Sequence, residues 1–130
     1  MITETMTPAE VAKAALDGIE AERAAFNMSS WAHQENGQGL VHLAPHQSPL
    51  SCGTTLCAAG MIAHMLGWTI TSGGTASKDD YVSHVSGVAE KALGISPNEG
   101  NLIWYASEGE AIYQLQRIAD GKPSVFRDED

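Results

Sequence analysis

The longest run of small and apolar positions in the chain lies between Thr54 and Leu66, interrupted only by His64. A segment that is apolar on every side belongs inside a fold, and the run predicts a central helix. Thr54 is placed to cap it by accepting the Cys57 amide. Gly67, directly after Leu66, supplies a residue without a Cβ, where helices stop most cheaply.

Amphipathic stripes flank this run. Thr7-Pro8-Ala9-Glu10 combines a hydroxyl cap, a proline whose missing N–H is harmless, and a glutamate that can reach back. It predicts a helix from Pro8 to Ala25 with Val11, Ala12, Ala15, Leu16 and Ile19 on one side. Ser77 and Asp80 have capping-box spacing, and Tyr81, Val82, Val85, Val88, Ala89 and Ala92 recur at helical spacing up to Gly94. Ser96-Pro97-Asn98-Glu99 opens a short helix carrying Leu102, Ile103 and Tyr105. Ser107 and Glu110 open another, whose stripe of Ala111, Ile112, Leu115, Ile118 and Ala119 ends before Gly121 and Pro123.

Between these stripes, Asn27 to Ser51 holds Gly37, Gly39, Pro45 and Pro49 and reads as loop. Leu40 to Leu43 alternates apolar and polar residues, as do Trp68 to Thr71, so the two can pair as a short β-hairpin. The fold class that follows is mainly α, with about five helices around the central one near 54–66 and a hairpin near 40–43 and 68–71. Residues 1–123 form a single helical domain with an irregular insert at 32–51, and 124–130 form an acidic tail.

Composition narrows the function. The net charge is -9 with only seven Lys and Arg, which excludes the basic face that phosphate binding requires and argues against nucleic acid as a partner. No positively charged apolar leader opens the chain and no run is long enough to span a bilayer, so no membrane is implied and the expected location is the cytoplasm. In a reducing compartment the two cysteines are expected as thiols, ligands or core residues rather than as a disulfide.

Three chemistries remain for Cys52 and Cys57. Both lie near the start of the central helix, where the helix dipole favours a thiolate. Cys52, with His42, His46 or His84 as base, therefore has the parts of a cysteine-dependent hydrolase or transferase. His42, His46, Cys52 and Cys57 also make up a tetrahedral zinc inventory, although Pro45 keeps the two histidines off one regular helix face. The third reading is packing. Cysteine is among the most buried residue types, and Gly53, Ala58, Ala59 and Gly60 are small enough for neighbouring segments to approach closely.

The residues Cys52, Gly53, Thr54, Cys57, Ala59 and Gly60 spell Cys-Gly-Thr-x-x-Cys-x-Ala-Gly. With Phe26-Asn27-Met28 and Trp31 upstream and Gly94-Ile95-Ser96-Pro97-Asn98-Glu99-Gly100 downstream, the chain resembles a group of small proteins of actinobacteria and the phages that infect them. It departs from them at Met61 and in the long insert between Trp31 and Ser51. The resemblance implies a phage or actinobacterial setting and brings no activity with it. The expectation is a small accessory protein that acts by binding a host or self protein, with no cofactor, through contacts in its long insert.

Overall fold

Three of the helix starts in this chain are capped by hydroxyls, those of Thr7, Ser96 and Ser107. A computed structural model describes residues 6–21, 23–28, 31–34, 42–48 and 54–122. Helix α1 (Pro8–Ala21) begins at a reciprocal capping box: Thr7 N donates to Glu10 Oε1 at 2.8 Å and Glu10 N to Thr7 Oγ1 at 3.2 Å. A short helical turn, Arg23–Ala25, follows it. Ser96 builds the same box with Glu99 at the head of α4 (Pro97–Trp104), and Ser107 caps α5 (Glu108–Ala119). With α2 (Ala58–Met65) and α3 (Val85–Leu93), five α-helices are present among the described residues. None of them is long and apolar enough to cross a membrane.

Two sheets are also present among the described residues, which corrects the expectation of a mainly α fold: the protein is mixed α/β. The smaller sheet pairs β1 (Ala32–Gln34) antiparallel with β3 (Thr54–Leu56). The larger has four antiparallel strands in the order β2, β4, β5, β6: His42–Leu43, Thr69–Thr71, Thr75–Lys78 and Tyr81–His84. The expected pairing of 40–43 with 68–71 is present as His42 opposite Thr71 and Leu43 opposite Ile70. It is one step of the larger sheet rather than a hairpin, because β3 and α2 lie between the two strands in sequence.

Two predicted helix starts turn out to be strand. Thr54 lies in β3, and α2 begins only at Ala58 with Cys57 as its cap. Ser77 lies in β5, and α3 begins at Val85, capped by His84 Nδ1 accepting from Ser86 N at 3.2 Å. Between β5 and β6, Asp79 takes φ 54 in a tight turn, a conformation that Asp tolerates better than most residues. Tyr81 and Val82, placed on a helical core stripe by their spacing, are instead 74% and 73% exposed. Tyr and Val suit a pleated strand as well as an apolar helix face, and here the strand takes them.

The core runs through the middle of these elements. Every residue from Thr54 to Ala63 is buried, so the predicted centre of the fold is the centre, as strand followed by helix. Helix α1 packs chiefly on α5 and α2, and α2 on α3. A Cβ at Gly18 would come within 2.8 Å of Met65 Sδ, so α1 and α2 approach as closely as glycine permits. The row Leu43, Ile70, Ala76 crosses the larger sheet on its core side, each residue fully buried.

One polar tie joins α3 to α4. The Trp104 indole Nε1 donates to the buried carboxylate of Glu90 at 3.0 Å, and Gly100 makes room for it: a Cβ there would fall on that carboxylate and 2.6 Å from Glu90 Cγ. Gly100→Ala is accordingly expected to lower unfolding free energy by about 2 kcal/mol, as overpacking of a filled site does. Gly109→Ala in α5, where nothing lies within 4 Å of the added atom, should be neutral or stabilising by up to about 1 kcal/mol. Urea denaturation followed by tryptophan fluorescence reads both; equal midpoints for the two variants would refute the account of Gly100.

Candidate functional site

The α2 helix begins inside the protein, so its first amides cannot turn to water and need partners from the chain. Two sulfurs supply them. Gly60 N donates to Cys57 Sγ at 3.4 Å and Ala58 N donates to Met28 Sδ at 3.4 Å. The Cys57 amide itself donates to the Trp31 carbonyl at 3.4 Å. That carbonyl also lies 2.8 Å from where a Cβ on Gly60 would sit, with Leu56 Cβ at 3.2 Å, which explains why Gly60 carries no side chain.

This geometry decides the protonation of Cys57. Burial pushes the thiol up from 9.0 to about 11, against the smaller opposing pull of the Gly60 and Ala59 amides. The helix dipole and amides that favour a thiolate at an exposed helix start are outweighed by desolvation here. Cys57 is a neutral thiol in the neutral range, 1% exposed, acting as a cap and a packing group. Cys52 and Gly53 lie outside the described residues.

The histidines are dispersed. His42 and His46 are both exposed, at the edge strand β2 and in the turn after it. His64 Nε2 donates to the Ala44 carbonyl at 3.0 Å, tying α2 to the segment after β2. His84 Nε2 donates to the Gly73 carbonyl at 3.2 Å while Nδ1 accepts from the Ser86 hydroxyl at 2.8 Å, so both ring nitrogens are held. Among the described residues no three His, Cys, Asp or Glu side chains are grouped as metal ligands. Half of the insert at 32–51, namely 35–41 and 49–51, and the tail at 124–130 also lie outside the described residues.

What the sequence did not single out is an aromatic surface beside the last strand. Trp31, half-buried, meets the edge of His84 at 4.6 Å between ring centroids and Tyr105 at 5.7 Å, both close to perpendicular. Perpendicular contacts at these separations match the charge distribution of aromatic rings. Gly74, at φ 84, admits this cluster: a Cβ there would lie 2.7 Å from Trp31 Cβ and 2.8 Å from His84 Nε2. Tyr105 is 74% exposed, as are Tyr81 and Val82 to a similar degree on β6. The alternation of Thr75 to Ser77 and the Asp79-Asp80 pair were the available signals for a strand pair here.

No protein-family model, no curated protein and no solved structure matches the chain.

The state of Cys57 has a direct readout. In a Cys52→Ser background, alkylation at pH 8 should be slow in the folded protein and reach the rate of a free thiol only in denaturant. The unfolded thiol ionises near 9.0 and the folded one near 11, so the folded state holds its proton longer. Its contribution to stability is therefore intact below pH 9 and is lost as pH rises towards 11. Rapid alkylation of the native protein at pH 8 would show the thiol is not sealed.

Proposed function

We propose that the protein is a small binding module, not an enzyme, and that β6 is where a partner protein attaches by adding an extended segment to the sheet. The observation that carries this reading is the end of the larger sheet. Among the described residues β6 ends the sheet opposite β2, and Tyr81 and Val82 are 74% and 73% exposed on it. An outermost strand offers unpaired N–H and C=O groups on alternate residues, and folded proteins usually blunt such a strand with lysine, proline or a covering element. Tyr81-Val82-Ser83-His84 contains neither lysine nor proline. Backbone pairing supplies the attachment in this mode of recognition, and side chains alternating above and below it supply the selectivity.

Charge indicates the kind of segment that fits. The turn leading into β6 is Asp79-Asp80, both exposed, on a protein of net charge -9. A segment with basic residues flanking a β-prone core is steered towards it, and an acidic one is repelled. The resemblance to proteins of actinobacteria and their phages makes a host protein the expected source. It also makes an actinobacterial lysate the first place to look.

The test pairs capture with a strand-specific variant. A protein captured by the wild type should be retained at least about tenfold less well by Val82→Lys, where a buried charge and a lost apolar contact oppose pairing. Amides of residues 81–84 should gain protection from hydrogen exchange in the complex. Equal capture by Val82→Lys, with those amides unprotected, would place the contact elsewhere and defeat the reading.

A further inference from the structure

The two sulfurs at the start of α2 differ in how they meet solvent. Cys57 is 1% exposed and keeps its proton, whereas Met28, whose Sδ accepts the Ala58 amide at 3.4 Å, is half-buried. A thiol reacts with oxidants as its thiolate, so the sealed Cys57 is inert. A thioether needs no ionisation, and its second lone pair stays available while the first faces the amide. Met61, inside α2, is 3% exposed, and Met65, at the far end of α2, packs near Gly18.

The segment bearing Met28 is held on both sides of that residue. Asn27 N donates to the Leu56 carbonyl at 2.9 Å, and the Trp31 carbonyl accepts from Cys57 N at 3.4 Å. The same carbonyl lies 2.8 Å from the Cβ position of Gly60, so little slack remains between the segment and α2. An oxygen on the lone pair facing Ala58 would have to fit within the 3.4 Å between nitrogen and sulfur, where an N–H···O bond alone takes about 2.9 Å. An oxygen on the other lone pair sets a sulfur of positive partial charge against the N–H. Either product breaks the contact, and the buried Ala58 amide loses its acceptor.

From this geometry we propose that Met28 is a modification site for peroxides, and that its sulfoxide releases the start of α2 and opens Cys57 to solvent. In the step, the Met28 sulfur gives a lone pair to one oxygen of hydrogen peroxide, and the S–O bond forms as the O–O bond breaks. The hydroxyl on sulfur passes its proton to the departing hydroxide, so peroxide is reduced to water and the thioether is oxidised to sulfoxide. The displaced segment is the one that closes over Cys57, and its retreat admits water to the thiol. A methionine sulfoxide reductase restores the thioether and with it the acceptor. The device is separate from attachment at β6 and acts on another part of the chain.

The test uses the full chain in the Cys52→Ser background, treated with hydrogen peroxide at pH 6 and mapped by tandem mass spectrometry. Met28 sulfoxide should form at least about tenfold faster than Met61 sulfoxide, since the sulfur inside α2 reacts only through opening of the fold. After transfer to pH 8, the protein oxidised at Met28 should alkylate Cys57 at least about tenfold faster than untreated protein, as expected for a larger opened population. Reductase treatment should reverse the gain. Met28→Leu keeps the volume and cannot take up oxygen, so peroxide should leave its alkylation rate unchanged. Met65→Leu should retain the acceleration. Oxidation of Met61 as fast as Met28, unchanged alkylation of Cys57 once Met28 is oxidised, or acceleration that persists in Met28→Leu each overturns the proposal.

Discussion

A helix that starts in a water-free interior must find acceptors for its first amides, and in this protein that requirement organises the core. The acceptors are the Cys57 and Met28 sulfurs. Sulfur accepts weakly, so the arrangement works only if the segment bearing Met28 is held against the helix start by other means. It is: Asn27 N donates to the Leu56 carbonyl at 2.9 Å, Phe26 bridges Leu56 in parallel, and β1 pairs with β3 from Ala32 to Gln34. β3 is thus flanked by the chain on both sides. The consequence reaches the chemistry, because the same closure that supplies the cap removes water from Cys57 and keeps its proton on.

The two stretches that carry the sequence motif, Phe26 to Trp31 and Thr54 to Gly60, are the two halves of this unit. Their residue types follow from contact. Gly60 yields to the Trp31 carbonyl, and Ala58 and Ala59 are fully buried. A motif of cysteine, glycine and alanine can arise from close packing alone, and that suffices for its described part.

Where the chain signals its structure through local chemistry, the sequence was sufficient. Thr7, Ser96 and Ser107 each sit three residues before a glutamate and each caps a helix, while Gly94 and Gly121 take φ 67 and 77 just past the ends of α3 and α5. The failures have specific causes. A strand buried on both faces and a buried helix are both continuous apolar runs, so Thr54 to Leu56 merged with α2; only the two adjacent threonines hinted at a strand. Ser77 and Asp80 imitate a capping box by spacing, and the pairing of Ala76 with Ile70 across the Ser72–Gly74 turn takes Ser77 into a strand instead. A cleft of about 590 Å³ was invisible in sequence for a stronger reason, since of its lining residues Val11, Lys78 and Lys91 come from three separate elements and Trp68 from the turn after α2.

The strand that ends the described sheet leads directly into α3, whose first residues line the cleft of about 590 Å³ together with Ser83. Cross-strand partners share a face, so the core-side row Leu43, Ile70, Ala76 continues onto Ser83 of β6, which is exposed and lines the cleft. One residue later His84 ends the strand and caps α3 through Ser86, with its other nitrogen fixed to the Gly73 carbonyl. The first turn of α3 is therefore set by the position of β6, and that turn carries Gly87 and Val88, which form the cleft wall. Pairing a further strand with β6 would restrain its twist and with it the start of α3. His84 is one link between the edge strand and the start of α3, beside the direct chain connection from β6 into α3 and the packing of α3 on α2.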